Sequence, residues 1–156
     1  MSQEQDLERK QHRKFAVACF NLTWSLMEQK ERSEADDDRM LHTAFASRFH
    51  WGEIGTPLEF ARGEWLLSRV YTVLKRPESA LHHAHKSLAI CLENGYGDFD
   101  LAYAYEALAR SYALLGRKDK LRLNLNLAKE AGKKIAEQDD KDIFYSDLKT
   151  IPGYEE

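Results

Sequence analysis

Apolar residues recur along this chain at helical spacing, and no stretch alternates as a half-buried strand would. Phe15, Ala18, Cys19, Leu22 and Leu26, with Trp24 nearby, predict a first helix over about 7–30. Ser33, with Asp36 three residues on, reads as the cap of a second. Asp36, Asp37 and Asp38 fall in its first turn, where negative charge suits the helix dipole. It continues through Phe45, Phe49 and Trp51 to about residue 53. After Gly55, Thr56-Pro57-Leu58-Glu59 combines a cap, a proline at the first helical position and a glutamate that closes a capping box. That third helix runs to about residue 74. Pro77 opens the fourth, which ends near Asn94-Gly95. The fifth runs from Gly97-Asp98 to about 115, and the sixth from Gly116 to about 138. Asp139 to Asp142 start a short terminal helix carrying Ile143, Phe144 and Leu148, ended by Pro152-Gly153.

Two turns, Lys75-Arg76 and Gly116-Arg117, are too short for anything but antiparallel neighbours. They also mark a duplication. At an offset of 41 residues (112 − 71), Ala61 matches Ala102, Leu67 matches Leu108 and Arg69 matches Arg110. Tyr71 matches Tyr112, Leu74 matches Leu115 and Arg76 matches Arg117. Ala84 aligns with Leu125, and Ser87 with Ala128.

The first unit, Leu67-Ser68-x-x-Tyr71-x-x-Leu74 followed by Ala80, Ala84, Ser87 and Leu88, resembles the tetratricopeptide repeat. So does Leu108-Ala109-x-x-Tyr112-x-x-Leu115-Gly116 followed by Leu121, Leu125 and Ala128. In that family a small residue on the first helix, here Ser68 or Ala109, admits the second helix, and a large aromatic, Tyr71 or Tyr112, fills the space beside it. The unit departs from the usual length of about 34 residues. Its excess lies in the loop 93–99, and Leu121 stands where the family prefers alanine. The match spans about 61–135, and the first helical pair fits poorly, although Ala44, Arg48 and Trp51 keep a similar spacing. The whole chain also resembles bacterial proteins of this size without an assigned activity, a likeness that adds no chemistry.

The expected fold is all-α: one domain over 1–156 of antiparallel hairpins stacked as a short tetratricopeptide-like superhelix. It comprises an N-terminal pair over 1–55, repeat hairpins over 61–94 and 102–135, and a capping segment over 139–156. Two repeats are fewer than the three a stack usually needs, so the outer segments are expected to cap it. A homodimer would bury the ends equally well.

Composition narrows the function classes. With 43% hydrophobic residues the chain can bury a core, and its length favours one domain. The net charge of −3 offers no overall basic field for nucleic acid. The local group Arg117, Lys118, Lys120 and Arg122 reads as a solvated helix start. The polar stretch 1–14 lacks the apolar core of a signal peptide, and no run approaches a membrane span. Cys19 and Cys91 sit among apolar neighbours without a CxxC pair, which suggests buried thiols in a cytoplasmic protein that contacts no membrane.

The catalytic survey is negative. No phosphate-cradling glycine loop, GxSxG elbow, HExxH or Glu-x-x-His pair occurs, so no enzyme activity and no cofactor are assigned. Asp38 with His42, and His50 with Glu53, keep helical spacing, as ordinary helix-face pairs also do. His82, His83 and His85 point in different directions on one helix and cannot share an ion.

The resemblance implies that the first helix of each repeat lines a concave face. The positions it selects are Arg62, Trp65 and Arg69, then Tyr103, Glu106 and Arg110. The spacing i, i+3, i+7 independently puts each trio on one face. Arg48, His50 and Trp51 extend that face toward the N-terminal pair. Arginine beside an aromatic suits a carboxylate or an extended peptide. Arg69 or Arg110 pairing with Glu64 or Glu106, and Trp65 lying in the core, is the competing reading. The leading expectation is a non-enzymatic scaffold that holds a protein or peptide in an Arg/aromatic groove. The alternatives are a small-molecule or metal site between Asp38 and Glu53, or a self-associating adaptor.

Overall fold

Helix boundaries follow local chemistry closely. In the computed structural model, which describes residues 1–156, seven helices and no strand form: α1 (Gln3–Met27), α2 (Glu34–Ile54), α3 (Pro57–Val73), α4 (Pro77–Asn94), α5 (Asp98–Leu115), α6 (Lys118–Gly132) and α7 (Gln138–Leu148). Ser33 and Asp36 cap α2 reciprocally, each side chain bonded to the other's backbone N–H at 3.1 Å. The Glu59 carboxylate accepts the Thr56 N–H at 3.0 Å and the Thr56 hydroxyl, so the signal before α3 works as read. Pro57 and Pro77 occupy the first turns of α3 and α4, where their missing N–H has no intrahelical partner to lose. No helix is long and apolar enough to cross a membrane.

The helices pack as three antiparallel hairpins, α1/α2, α3/α4 and α5/α6, with α3 beside α5 and α7 against α5 and α6. The duplication holds at backbone level. The Arg76 N–H donates to the Tyr71 carbonyl at 2.8 Å, and its counterpart Arg117 donates to Tyr112 at 3.0 Å. Lys75 (φ +58°) and Gly116 (φ +71°) occupy the same left-handed position in these two turns. One unit therefore carries a lysine where the backbone favours glycine.

Small residues set the distance between paired helices. Ser47 Oγ donates to the Ala16 carbonyl at 2.8 Å, binding α2 to α1. Ser68 Oγ donates to the Ala80 carbonyl at 2.8 Å, and Ser87 Oγ to the Ala61 carbonyl at 2.9 Å, binding α3 and α4 at two levels. The third hairpin carries Ala109 and Ala128 at the positions of Ser68 and Ser87, both fully buried, and closes by apolar contact instead. Core side chains collect at the two ends of the stack. Leu26, Met40, Leu66, Leu67 and Val70 fill one; Leu121, Leu125, Ile135, Phe144, Leu148 and Ile151 fill the other. Alanines Ala61, Ala84, Ala104 and Ala107 occupy the middle.

Three expectations need correction. The sixth helix stops at Gly132, short of residue 138, because α7 folds back across its end. Phe15, Phe45 and Phe49 point outward, Phe49 being 57% exposed, while Ala16, Met40, Ala44 and Ser47 form the buried seams. On α7, Ile143 is 58% exposed, and Phe144 and Leu148 alone reach the core. A helical stripe identifies a face, and here small residues between the large ones take the seam.

Gly132 is where α6 and α7 meet. A β-carbon there would lie 2.6 Å from Phe144 Cε1 and 2.9 Å from the Tyr145 hydroxyl. Gly132→Ala should therefore cost about 1–3 kcal/mol, the usual penalty of overpacking, although alanine is the better helix former. A urea unfolding midpoint equal to or above the parent's would contradict this packing.

Candidate functional site

Positions equivalent in the two repeats touch one another across α3 and α5. Trp65 and Glu106 are 41 residues apart (106 − 65), and Trp65 Nε1 donates to Glu106 Oε2 at 3.4 Å. Arg69 Nη1 and Arg110 Nε both donate to Glu106 Oε1, at 3.3 and 2.6 Å. Glu106 is 1% exposed, so these three donors replace water around a buried carboxylate. Burial pulls the Arg69 guanidinium below its ordinary pKa, against the opposing charge of Glu106.

Helix α7 seals one end of this arrangement. Arg110 Nη2 donates to the Asp147 carbonyl at 3.0 Å and to Thr150 Oγ1 at 2.9 Å, placing a cation at the C-terminus of α7. The Tyr103 hydroxyl donates to Asp147 Oδ2 at 2.6 Å. Burial, reinforced by that hydrogen bond, drives the Tyr103 phenol well above its ordinary pKa. An aromatic series runs across the leading helices: Trp24 stacks on Trp65 at 5.8 Å, Trp65 meets Tyr103 edge-on at 5.5 Å, and Tyr103 meets Phe144 at 5.0 Å.

The other end stays open. A pocket of about 160 Å³ lies between α1, α3 and α5, walled by Phe20, Trp65, Phe99 and Tyr103 over Ala61 and Ser87. At its rim Arg62 forms a two-point pair with Asp100, Nε to Oδ1 at 2.9 Å and Nη2 to Oδ2 at 3.2 Å, and lies over the Phe99 ring at 5.2 Å. Phe20 and Arg62 also border a second depression of about 180 Å³, lined by Val17, Trp51 and Glu59.

The sequence-selected residues thus separate into groups. Trp65, Arg69, Tyr103, Glu106 and Arg110 form one network, and Arg62 stands at the pocket rim with its side chain 44% exposed. Trp51 joins the second depression, under Arg13 at 5.4 Å. Arg48 turns away: its Nε donates to Glu64 Oε1 at 3.2 Å, and its guanidinium lies over Phe60 at 4.5 Å. His50 meets His12 instead, Nδ1 to Nδ1 at 2.8 Å. Sequence reasoning missed Phe20, Phe99, Asp100, Asp147 and Trp24. Trp24 carried a readable signal, since it precedes Trp65 by the repeat offset of 41 (65 − 24).

Elsewhere the chemistry is plain. Asp38 and His42 are exposed, and no three His, Cys, Asp or Glu side chains stand close enough together to hold an ion as placed. Burial, with the nearby Asp100 charge, pushes the Cys91 thiol up to about 11, far from a reactive thiolate. Arg117, Lys118 and Arg122 border a recess that also holds Glu155 and Glu156, so it is not uniformly basic. Comparison with protein-family profiles, curated proteins and solved structures finds no match for this chain.

Two predictions follow from the buried carboxylates. Glu106→Ala leaves Arg69 and Arg110 without their buried partner, and should lower stability by about 3–5 kcal/mol in urea unfolding. A loss below about 1 kcal/mol would mean the network is solvated. Glu64 is the second case. Burial alone would raise its pKa, but the hydrogen bond from His83, Nδ1 to Oε2 at 2.6 Å, and the charges of His83, Arg48 and Lys86 outweigh it, and the net shift is downward. A carboxylate depressed by folding contributes stability above its unfolded pKa and loses it as pH falls through the folded value. Stability of the parent should therefore decline below about pH 4.5, and Glu64→Gln should flatten that slope. Identical slopes in the two proteins would assign the acid sensitivity elsewhere.

Proposed function

We propose that this chain is a short tetratricopeptide-like scaffold, without catalytic activity, that holds an extended peptide of a partner protein in a cytoplasmic setting. The observation that supports the reading is the open aromatic pocket between α1, α3 and α5. Its volume of about 160 Å³ is comparable with the roughly 150 Å³ apolar cavity that accommodates benzene, so one branched aliphatic or aromatic side chain fits as an anchor. Arg62 Nε and Nη2 are taken by Asp100, which leaves Nη1 at the rim for a peptide carbonyl or carboxylate. The neighbouring depression beside Trp51 offers a second contact along the same strip.

Arg69 and Arg110 are committed to Glu106 and α7, so they shape the groove and the rim residues grip. This arrangement moves the expected binding contacts from the duplicated arginines to Phe20, Arg62, Phe99 and Tyr103.

Selection from a displayed random-peptide library on the full chain, followed by titration of the enriched peptides, tests the reading. Enriched peptides should share one large apolar residue. Arg62→Glu and Phe20→Ala should each weaken them by about tenfold, close to 1.4 kcal/mol, in protein whose circular dichroism still shows the folded helices. Peptides that bind both variants as tightly as the parent would place recognition elsewhere, and a library that yields none would remove the reading.

A further inference from the structure

The N-terminal hairpin carries a feature that the groove does not use. His12 of α1 and His50 of α2 face each other with Nδ1 atoms 2.8 Å apart. One proton at most can lie between two imidazole nitrogens, so at least one lone pair is aimed directly into the contact. Both rings are half-buried and held from the sides. Phe15 lies 5.5 Å from His50, and Phe49 lies 5.2 Å from His50 and 6.3 Å from His12. These are two of the phenylalanines that point outward from the fold, and here they form a partial apolar shell around the nitrogens. His12 borders a recess of about 390 Å³ to which Glu8, one turn before it, and Glu53, three residues after His50, also contribute lining.

We propose that His12 and His50 supply the two nitrogen ligands of a site for a divalent first-row ion of zinc type, completed by Glu8, Glu53 or water. The chemistry of the donors fits. Imidazole nitrogens suit zinc, cobalt and nickel, and either ring nitrogen can ligate. Two nitrogens about 2.0–2.1 Å from a tetrahedral ion stand about 3.3 Å apart, so the pair opens by about 0.5 Å. Half-buried side chains across a hairpin seam accommodate such a change by small χ rotations. Each carboxylate needs a rotamer change to reach the ion. Arg9 also lines the recess, and its Nη2 donates to the Ile54 carbonyl at 3.4 Å, which directs that cation to the end of α2. The ends of α1 and α2, now linked there by the His12–His50 contact and the Arg9–Ile54 hydrogen bond, would then also be joined by an ion.

Titration of the chelator-treated full chain with cobalt(II), read by visible absorption, is the test. The parent should take up one equivalent with the intense bands of a tetrahedral N/O site. His12→Ala and His50→Ala should each weaken uptake by more than about tenfold and lose those bands, whereas His85→Ala should leave them intact. His12→Asn and His50→Asn keep a polar amide while removing the imidazole, and they replace an alanine variant whose circular dichroism shows unfolding. Uptake unchanged in the His12 and His50 variants would overturn the proposal by assigning the ion to another surface group, such as His82 with His85. Absence of tetrahedral bands up to about 100 µM cobalt would overturn it outright.

Discussion

A carboxylate with almost no access to water sits at the centre of this molecule, and the arrangement of the leading helices depends on keeping it paired. Glu106 receives two guanidinium groups and an indole N–H, of which Trp65 and Arg69 come from α3 and Arg110 from its own helix. Leaving such a charge without partners costs several kcal/mol, so any slide of α3 against α5 that breaks these bonds is disfavoured. Alanine-rich seams such as Ala61, Ala84, Ala104 and Ala107 bring helices close but discriminate poorly among neighbouring registers. The ionic network supplies the discrimination, and it extends through Arg110 to the carbonyl of Asp147 and so to the position of α7.

That same network divides the inner face by chemistry. Toward α7 every strong donor and acceptor is satisfied internally: Tyr103 by Asp147, Arg110 by Glu106 and Thr150. A ligand arriving there must displace charge-assisted bonds of low exposure. Toward α1 the walls are rings and a single two-point ion pair, and nothing from the chain fills the space. Binding at the second end removes water from apolar surface and breaks no internal bond, so its cost is smaller for equal contact area.

How much of this was legible in advance depends on the kind of signal. Caps and breakers were read directly, because Ser33, Thr56, Pro57, Pro77 and Gly116 act through local backbone chemistry. The duplicated tyrosines and arginines located the two hairpins and the face they share. The outward turn of Phe15, Phe45 and Phe49 was not legible, since periodicity cannot tell whether a large residue or the alanine beside it takes the seam. Nor was the role of Asp147, which acts only because α7 returns to α5, a tertiary fact with no local marker. Glu64 shows the limit most clearly. The sequence offers it as a partner for Arg69 or Arg110 between adjacent helices, but it faces α4 and α2, where His83 and Arg48 meet it.

The N-terminal hairpin then takes on a different significance from its weak match to the repeat. Its first helix contributes Trp24 to the stack on Trp65 and Phe20 to the wall of the open pocket. A cap needed only to cover an exposed end could do so with any apolar stripe. Here α1 instead completes the pocket beside α3 and α5 with rings that meet theirs at centroid distances where aromatic pairs attract. Such specific completion ties the end of the stack to the pocket: loosening α1 would remove one wall and expose the Trp65 face together. The part of the chain least like a repeat is thus the part that bounds the pocket beside α3 and α5, while the better-matched helix α5 spends much of its inner face on binding its own C-terminal segment.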